Sequence, residues 1–173
     1  MKSIDRNEYD KIRIQIEEKS RCLVSKLIEK ELFISTAESC TGGMIASAIV
    51  DVPDASKCFK ESIVTYSNAA KMKYLEVSNV TIAKYGVVSG ETVKEMAFGM
   101  IKQSGSDIAV VTSGIAGPAG GTKEKPVGLV YIACAYKEKI LVSNRVYSNM
   151  DRRQVRLSAT LSAINLCLNI LDI

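Results

Sequence analysis

Apolar positions along this chain alternate between a helical and an extended spacing, and the alternation defines the architecture it predicts. Between about Glu8 and Glu31 the residues Ile12, Ile16, Leu23, Val24, Leu27 and Ile28 recur at three- and four-residue steps, the mark of an amphipathic helix. A short apolar strand, Leu32 to Thr36, follows at once. Next comes a helical pattern from Ser39 to Ile49, ended by the turn-forming Asp51-Val52-Pro53-Asp54. Phe59 to Tyr66 has the composition of a second strand. Beyond it Asn68 is placed to cap a short helix carrying Lys71, Met72 and Leu75, and another short helix fits Val80 to Tyr85, stopped by Gly86. From Glu91 to Lys102 the set Val93, Met96, Ala97, Met100 and Ile101 completes a helical face between Ser89-Gly90 and Gly105. The unbroken apolar run in Asp107 to Thr112 predicts a strand buried on both faces. Val127 to Tyr136 and Ile140 to Tyr147, joined by Lys137-Glu138-Lys139, predict an antiparallel hairpin, and a last helix starts near Asp151.

This order predicts an α/β fold, a three-layer α/β/α arrangement around a mixed sheet of about five strands, rather than a bundle or a sandwich. In such sheets ligands gather beyond the carboxyl ends of parallel strands, where Glu38–Gly43, Tyr66–Lys71 and Ser113–Gly121 would fall together. A chain of 173 residues with 47% hydrophobic content suits one domain, expected to span 1–173 with a helical extension at about 1–31. The net charge of +4 is spread without a dense basic block, and three Phe with no Trp offer little for base stacking, so nucleic acid is not the expected partner. Five cysteines without a C-x-x-C pair suit a reducing cytoplasm. The charge-free run from Leu157 to Leu171 falls short of the roughly 18 residues a membrane span requires, and no membrane association is expected. That last helix is apolar on two sides, with Ala159, Ala163, Leu166 and Ile170 on one and Leu161, Ile164, Leu168 and Leu171 on the other. A homodimer would cover the excess.

The absence of histidine narrows the chemistry, because Ser-His-Asp triads, Cys-His dyads and His-containing metal sites are excluded. Ala37-Glu38-Ser39-Cys40-Thr41-Gly42-Gly43 places a hydroxyl and a thiol where a strand passes into a helix. Unpaired amides and the positive end of the helix dipole stabilise developing anions at such a point. If Ser39 is a nucleophile, Lys, Tyr or a carboxylate must activate it. Tyr66 and Lys71, at a strand end and one turn into the next helix, are the available groups, and a lysine base would need its pKa lowered from about 10.4 toward 7.5. Thr112-Ser113-Gly114-Ile115-Ala116-Gly117-Pro118-Ala119-Gly120-Gly121 carries four glycines in eight residues after a buried strand, a composition that lets backbone amides approach a ligand. Its spacing matches neither a Walker A loop nor a dinucleotide fingerprint.

Taken together, TAESCTGG, VTYSNAAK, YGVVSGETVKEMAFG, SGIAGPAGG, KPVG and DRRQVR resemble, in order from about Thr36 to Leu168, the CinA C-terminal-domain family. Stand-alone members of that family are nicotinamide mononucleotide deamidases. The resemblance implies hydrolysis of the carboxamide of nicotinamide mononucleotide to nicotinate mononucleotide and ammonia, in pyridine nucleotide salvage, with no cofactor and no metal. It implies Ser39 as nucleophile with Tyr66 and Lys71 completing the catalytic group. Glu38, Cys40, Thr41, Gly42, Gly43, Ser113, Gly114, Ala116, Gly117 and Arg152 would bind substrate. Two features depart from the family pattern: the N-terminal helix lies outside the family core, and Met150-Asp151-Arg152 stands where Gly-Asp-Arg is common. Larger members carry a further N-terminal domain, whose pyrophosphatase activity is not expected here. For the substrate phosphate, Arg152, Arg156, Arg145 and the glycine loop are all candidates, with Arg152 and Arg156 favoured by sharing a helix face. Either Lys71 or Tyr66 would serve as the base. Cys40 is the rival nucleophile, and Glu38 would orient Lys71 or the pocket amides, or simply face solvent. The alternatives in function are a non-catalytic nucleotide-binding regulatory module and an amidohydrolase for another small amide.

Overall fold

The computed structural model describes residues 6–172 and contains a five-stranded mixed sheet covered by helices on both faces. The elements are α1 (Arg6–Glu29), β1 (Ile34–Glu38), α2 (Met44–Val50), β2 (Phe59–Val64), α3 (Asn68–Leu75), α4 (Asn79–Tyr85), α5 (Gly90–Ser104), β3 (Ile108–Gly114), β4 (Leu129–Tyr136), β5 (Lys139–Val146) and α6 (Arg152–Leu171). The strand order is β2-β1-β3-β4-β5. β1 is parallel to both β2 and β3, and the β4–β5 hairpin continues the sheet antiparallel.

Boundaries differ from the periodic pattern where capping chemistry intervenes. β1 starts at Ile34 rather than Leu32 because leaving α1 consumes the intervening residues: Glu31 is left-handed at φ 53° and the Leu32 amide closes back on the Leu27 carbonyl. Ser67, not Asn68, caps α3, its hydroxyl accepting the Ala70 amide at 3.1 Å. Asn68 is thereby the first helical residue. α5 runs between the Ser89 cap and left-handed Gly105, as its pattern predicts. Asp151 opens α6 with a capping box, Gln154 returning the bond to the Asp151 amide.

One apolar layer lies between the sheet and α1, α2 and α6, built on Leu23, Leu27, Ile45, Ile49, Val110, Ile132 and Ile164. The other lies under α3 and α5, built on Leu75, Val93, Met96, Met100 and Val111. Leu23 and Leu27 are fully buried, and each contributes at most about 2 kcal/mol by its transfer from water. α6 packs on the sheet and on α1, with Leu161 and Leu166 left partly buried. No helix among the described residues is long and apolar enough to cross a membrane.

Candidate active site

The parallel strands β1, β2 and β3 end level with one another. Glu38 stands opposite Val64 on one side and Thr112 on the other, and the Ser39 amide donates to the Thr112 carbonyl at 3.1 Å while the Thr65 amide donates to that of Glu38 at 2.9 Å. From this line the chain leaves β1 for α2 on one face of the sheet and leaves β2 for α3 on the other. A crevice opens where the two exits diverge. It has a volume of about 280 Å³, near the lower end of the roughly 300–1,000 Å³ typical of small-ligand pockets.

At the floor of this crevice the Lys71 Nζ lies 3.1 Å from the Ser39 Oγ and donates to the Thr65 carbonyl at 2.7 Å. Lys71 is only 1% exposed, and no carboxylate among the described residues lies within ion-pair distance of it. Burial therefore disfavours the ammonium without a countercharge to offset it, and lowers the Lys71 pKa to about 8. An amine near neutrality, in contact with a hydroxyl that opens to the crevice, is the arrangement a Ser–Lys nucleophile requires. Cys40 is the opposite case. Its thiol is buried and pushed up to about 11, so it stays protonated at neutral pH and is a poor rival to Ser39.

The helix itself begins five residues later than its periodicity indicates. Gly42 and Gly43 are left-handed, at φ 59° and 93°, and α2 starts only at Met44. Ser39 therefore sits in the turn and not at the first helical position. Glu38 explains why: it is fully buried, and its carboxylate accepts from the amides of Gly43 at 2.9 Å, Ile45 at 3.1 Å and Ala46 at 2.9 Å. These are the first-turn donors of α2, so Glu38 does not face solvent or touch Lys71, and the amide of Gly43 is not available to substrate. On the other side of the turn, Arg156 Nε donates to the Cys40 carbonyl at 3.0 Å and Arg156 Nη2 to that of Thr41 at 2.7 Å. Arg156 is thus occupied by the turn. Thr41 is buried, with its hydroxyl 2.8 Å from that of Thr112.

Tyr66, Ser113, Gly114, Ala116, Gly117 and Arg152 line the crevice together with Ser39, Cys40 and Lys71; Glu38, Thr41, Gly42 and Gly43 do not. Tyr66 is 62% exposed and its phenol accepts from Arg152 Nη2 at 2.9 Å, which places it at the rim rather than in the Ser39–Lys71 contact. Arg152 also donates through Nη1 to the Gly117 carbonyl at 2.7 Å, joining two walls of the mouth. The glycine loop is shaped by close packing on β4 and the segment before it: a Cβ on Gly114 would lie 2.7 Å from Val130 and one on Gly117 2.4 Å from Val127. Ser113 turns its hydroxyl to the Val87 carbonyl at 2.6 Å. Arg145, on the outer strand β5, is not part of the lining. Asn68, Val87 and Val88 are: Asn68 lies inside the Tyr66–Lys71 segment expected there, and Val87 and Val88 inside the YGVVSG stretch, although none of the three is itself a predicted site residue. No group of His, Cys, Asp and Glu among the described residues is arranged to hold a metal ion.

A three-layer α/β fold with a buried lysine on a serine at its parallel strand ends defines the class of protein. Residues 16–171 match the CinA C-terminal domain, and the chain belongs to that family; the match begins inside α1. It is 48% identical to a competence-damage inducible protein of Clostridium beijerinckii over 165 residues, 95% of this chain and 39% of that one. It is 51% identical to a CinA-like protein of Fusobacterium nucleatum over 83% of this chain and 35% of that one. The chain thus spans little more than a third of the length of these curated relatives. Among solved structures, it is similar to a competence/damage inducible protein from Agrobacterium tumefaciens, with a TM-score of 0.89 and 38% identity, over 92% of this chain and 96% of that one. A CinA superfamily protein from Escherichia coli superposes with a TM-score of 0.86 at 34% identity, over 90% of each chain.

Proposed function

We propose that this protein hydrolyses the carboxamide of nicotinamide mononucleotide, giving nicotinate mononucleotide and ammonia, with Ser39 as nucleophile and Lys71 as its base. The observation that carries this reading is the 3.1 Å contact between a hydroxyl facing the crevice and a buried, unpaired amine. The amine takes the Ser39 proton as Oγ bonds to the carboxamide carbon, leaving an oxyanion and an ammonium at Lys71. Collapse of the oxyanion breaks the C–N bond, and Lys71 returns the proton to the departing nitrogen, which leaves as ammonia. Water then attacks the Ser39 ester with Lys71 again as base, and the acid is released as Ser39 regains its hydrogen. The substrate's pyridinium ring is cationic, so its arrival opposes the ammonium form of Lys71 and favours the base. At the rim, the guanidinium of Arg152 and the phenol of Tyr66 are the groups that suit the 5′-phosphate.

The reading is tested by ammonia release and by the identity of the product when wild-type protein, Ser39→Ala and Lys71→Met are mixed with nicotinamide mononucleotide. Turnover by wild type, lost in Ser39→Ala, supports it. Turnover of other small amides but not this one moves the substrate, and no turnover of any amide by folded protein favours a nucleotide-binding module.

A further inference from the structure

Ser39 lies in a turn gripped from two sides by opposite charges, and the two grips act on different parts of the peptide. The Glu38 carboxylate takes amides at the far end of the turn, those of Gly43, Ile45 and Ala46. The Arg156 guanidinium, partly buried and reaching across 116 and 115 residues of sequence, takes the carbonyls of Cys40 and Thr41 through a two-pronged contact. Space for it exists because residue 42 is glycine: a Cβ there would stand 3.3 Å from Arg156 Nη2. In a trans peptide the N–H points opposite to the C=O. Holding the Cys40 and Thr41 carbonyls therefore turns the Thr41 and Gly42 amides away from the guanidinium. The neighbouring amides are already committed, Ser39's to the Thr112 carbonyl and Gly43's to Glu38. Among the described residues no partner accepts from the amides of Thr41 and Gly42. Thr41 and Gly42 do not line the crevice, so holding their peptide planes acts on the reaction through the turn, fixing how it presents Ser39 and Cys40, the residues of this stretch that do line it.

We infer that Arg156 is a positioning residue for the Ser39 reaction, fixing the two peptide planes that follow the nucleophile instead of binding substrate phosphate. This rests on the amidohydrolase reading above. A lysine in its place keeps the charge but not the fork that holds two carbonyls at once.

The test compares wild type, Arg156→Ala and Arg156→Lys for ammonia release from nicotinamide mononucleotide, for labelling of Ser39 by a fluorophosphonate, and for thermal unfolding. Arg156→Ala should lose roughly 100-fold in kcat, as when a reacting group is misplaced by about an ångström, with KM little changed. Guanidinium chloride at sub-denaturing concentration should restore part of that loss and do nothing for wild type. If Arg156→Ala fails to fold, Arg156→Lys decides: kcat well below wild type at an unchanged KM supports the inference, and wild-type kcat overturns it. A rise in KM at wild-type kcat in either variant also overturns it, since that is the signature of a phosphate ligand. The labelling separates the two levels of argument. Wild-type protein that labels at Ser39 but leaves nicotinamide mononucleotide intact sinks the proposed substrate, and slower labelling of the Arg156 variants would still support the positioning role, whereas equal labelling would sink it. Wild-type protein that neither labels nor turns over defeats both.

Discussion

The two strand-to-helix connections that meet at Ser39 each bury an ionisable side chain, and they treat it in opposite ways. In the β1–α2 turn the Glu38 carboxylate is fully buried and meets three backbone amides at 2.9–3.1 Å. After β2, Lys71 in the first turn of α3 is buried to a similar degree and meets a carbonyl and a hydroxyl, with no opposing charge among the described residues within ion-pair distance. A buried charge whose hydrogen bonds are complete holds structure together, whereas one left without a counterion is held near its point of neutrality. The first shapes the turn that presents Ser39, and in the proposed reaction the second activates it. The same contrast separates the crevice from the larger groove of about 790 Å³ between α1, α2 and α6. There Arg21 pairs with Glu17 at 2.5 Å, and the charges answer one another on an exposed surface. The contrast lies in charge compensation and not in volume.

The largest expected effect breaks the comparison at Lys71. Lys71→Met should lower kcat by about 10³-fold, within the range for loss of a general base, while leaving the protein folded. Glu38→Gln should show the reverse balance. Its amide nitrogen would face a backbone donor where an oxygen now accepts, at a cost of about 2–3 kcal/mol. For a chain of this length that corresponds to a fall in Tm of roughly 4–12 °C in a thermal melt. If Lys71→Met melts far below wild type while Glu38→Gln melts with it, the assignment of roles is inverted.

How much of this was legible beforehand depends on the reach of each interaction. The order of elements follows from local periodicity, and the exposed hydroxyl of Ser67 taking the cap from Asn68 is a one-residue difference. The convergence of Ser39 with Lys71 follows from topology, since both lie just past parallel strands that must neighbour one another. Glu38 was open between solvent and pocket because its partners are backbone amides, which carry no residue identity. The late start of α2 has the same origin, as two consecutive left-handed glycines and a buried carboxylate override an apolar spacing that continues back to Ser39. Arg156 shares a helix face with Arg152, so spacing favoured a common phosphate role. Only the docking of α6 against the β1–α2 turn separates them, sending one to the turn's carbonyls and the other to Tyr66 and Gly117.

The protonation of Lys71 sharpens the comparison with pH. Its folded pKa of about 8 lies below the roughly 10.4 of an unfolded chain, so between these values the unfolded state binds more protons and stability rises with pH. Below about pH 8 the folded protein carries the full cost of a buried ammonium. Wild type should therefore gain stability relative to Lys71→Met as pH rises from 8 to 10, measured by denaturant unfolding at each pH. Across about pH 6–9 kcat/KM should rise and then level off, with an apparent pKa near 8. The cationic substrate proposed here should place the corresponding pKa of kcat lower, because kcat reports the bound complex. A flat difference in stability would mean that Lys71 is solvated in the folded protein, and the contrast with Glu38 would collapse.

The smallest effect concerns the thiol next to the nucleophile. Cys40 is buried and stays a thiol at neutral pH, whereas Cys22, on α1, is exposed. Brief treatment with iodoacetamide at pH 7.5 should alkylate Cys22, leave Cys40 unmodified in peptide mass mapping, and change amidohydrolase activity little, because α1 takes no part in the crevice. Rapid alkylation at Cys40 with matching loss of activity would show that the β1–α2 turn opens its thiol to solvent. The rigid, charge-gripped turn would then be the wrong description of how Ser39 is presented.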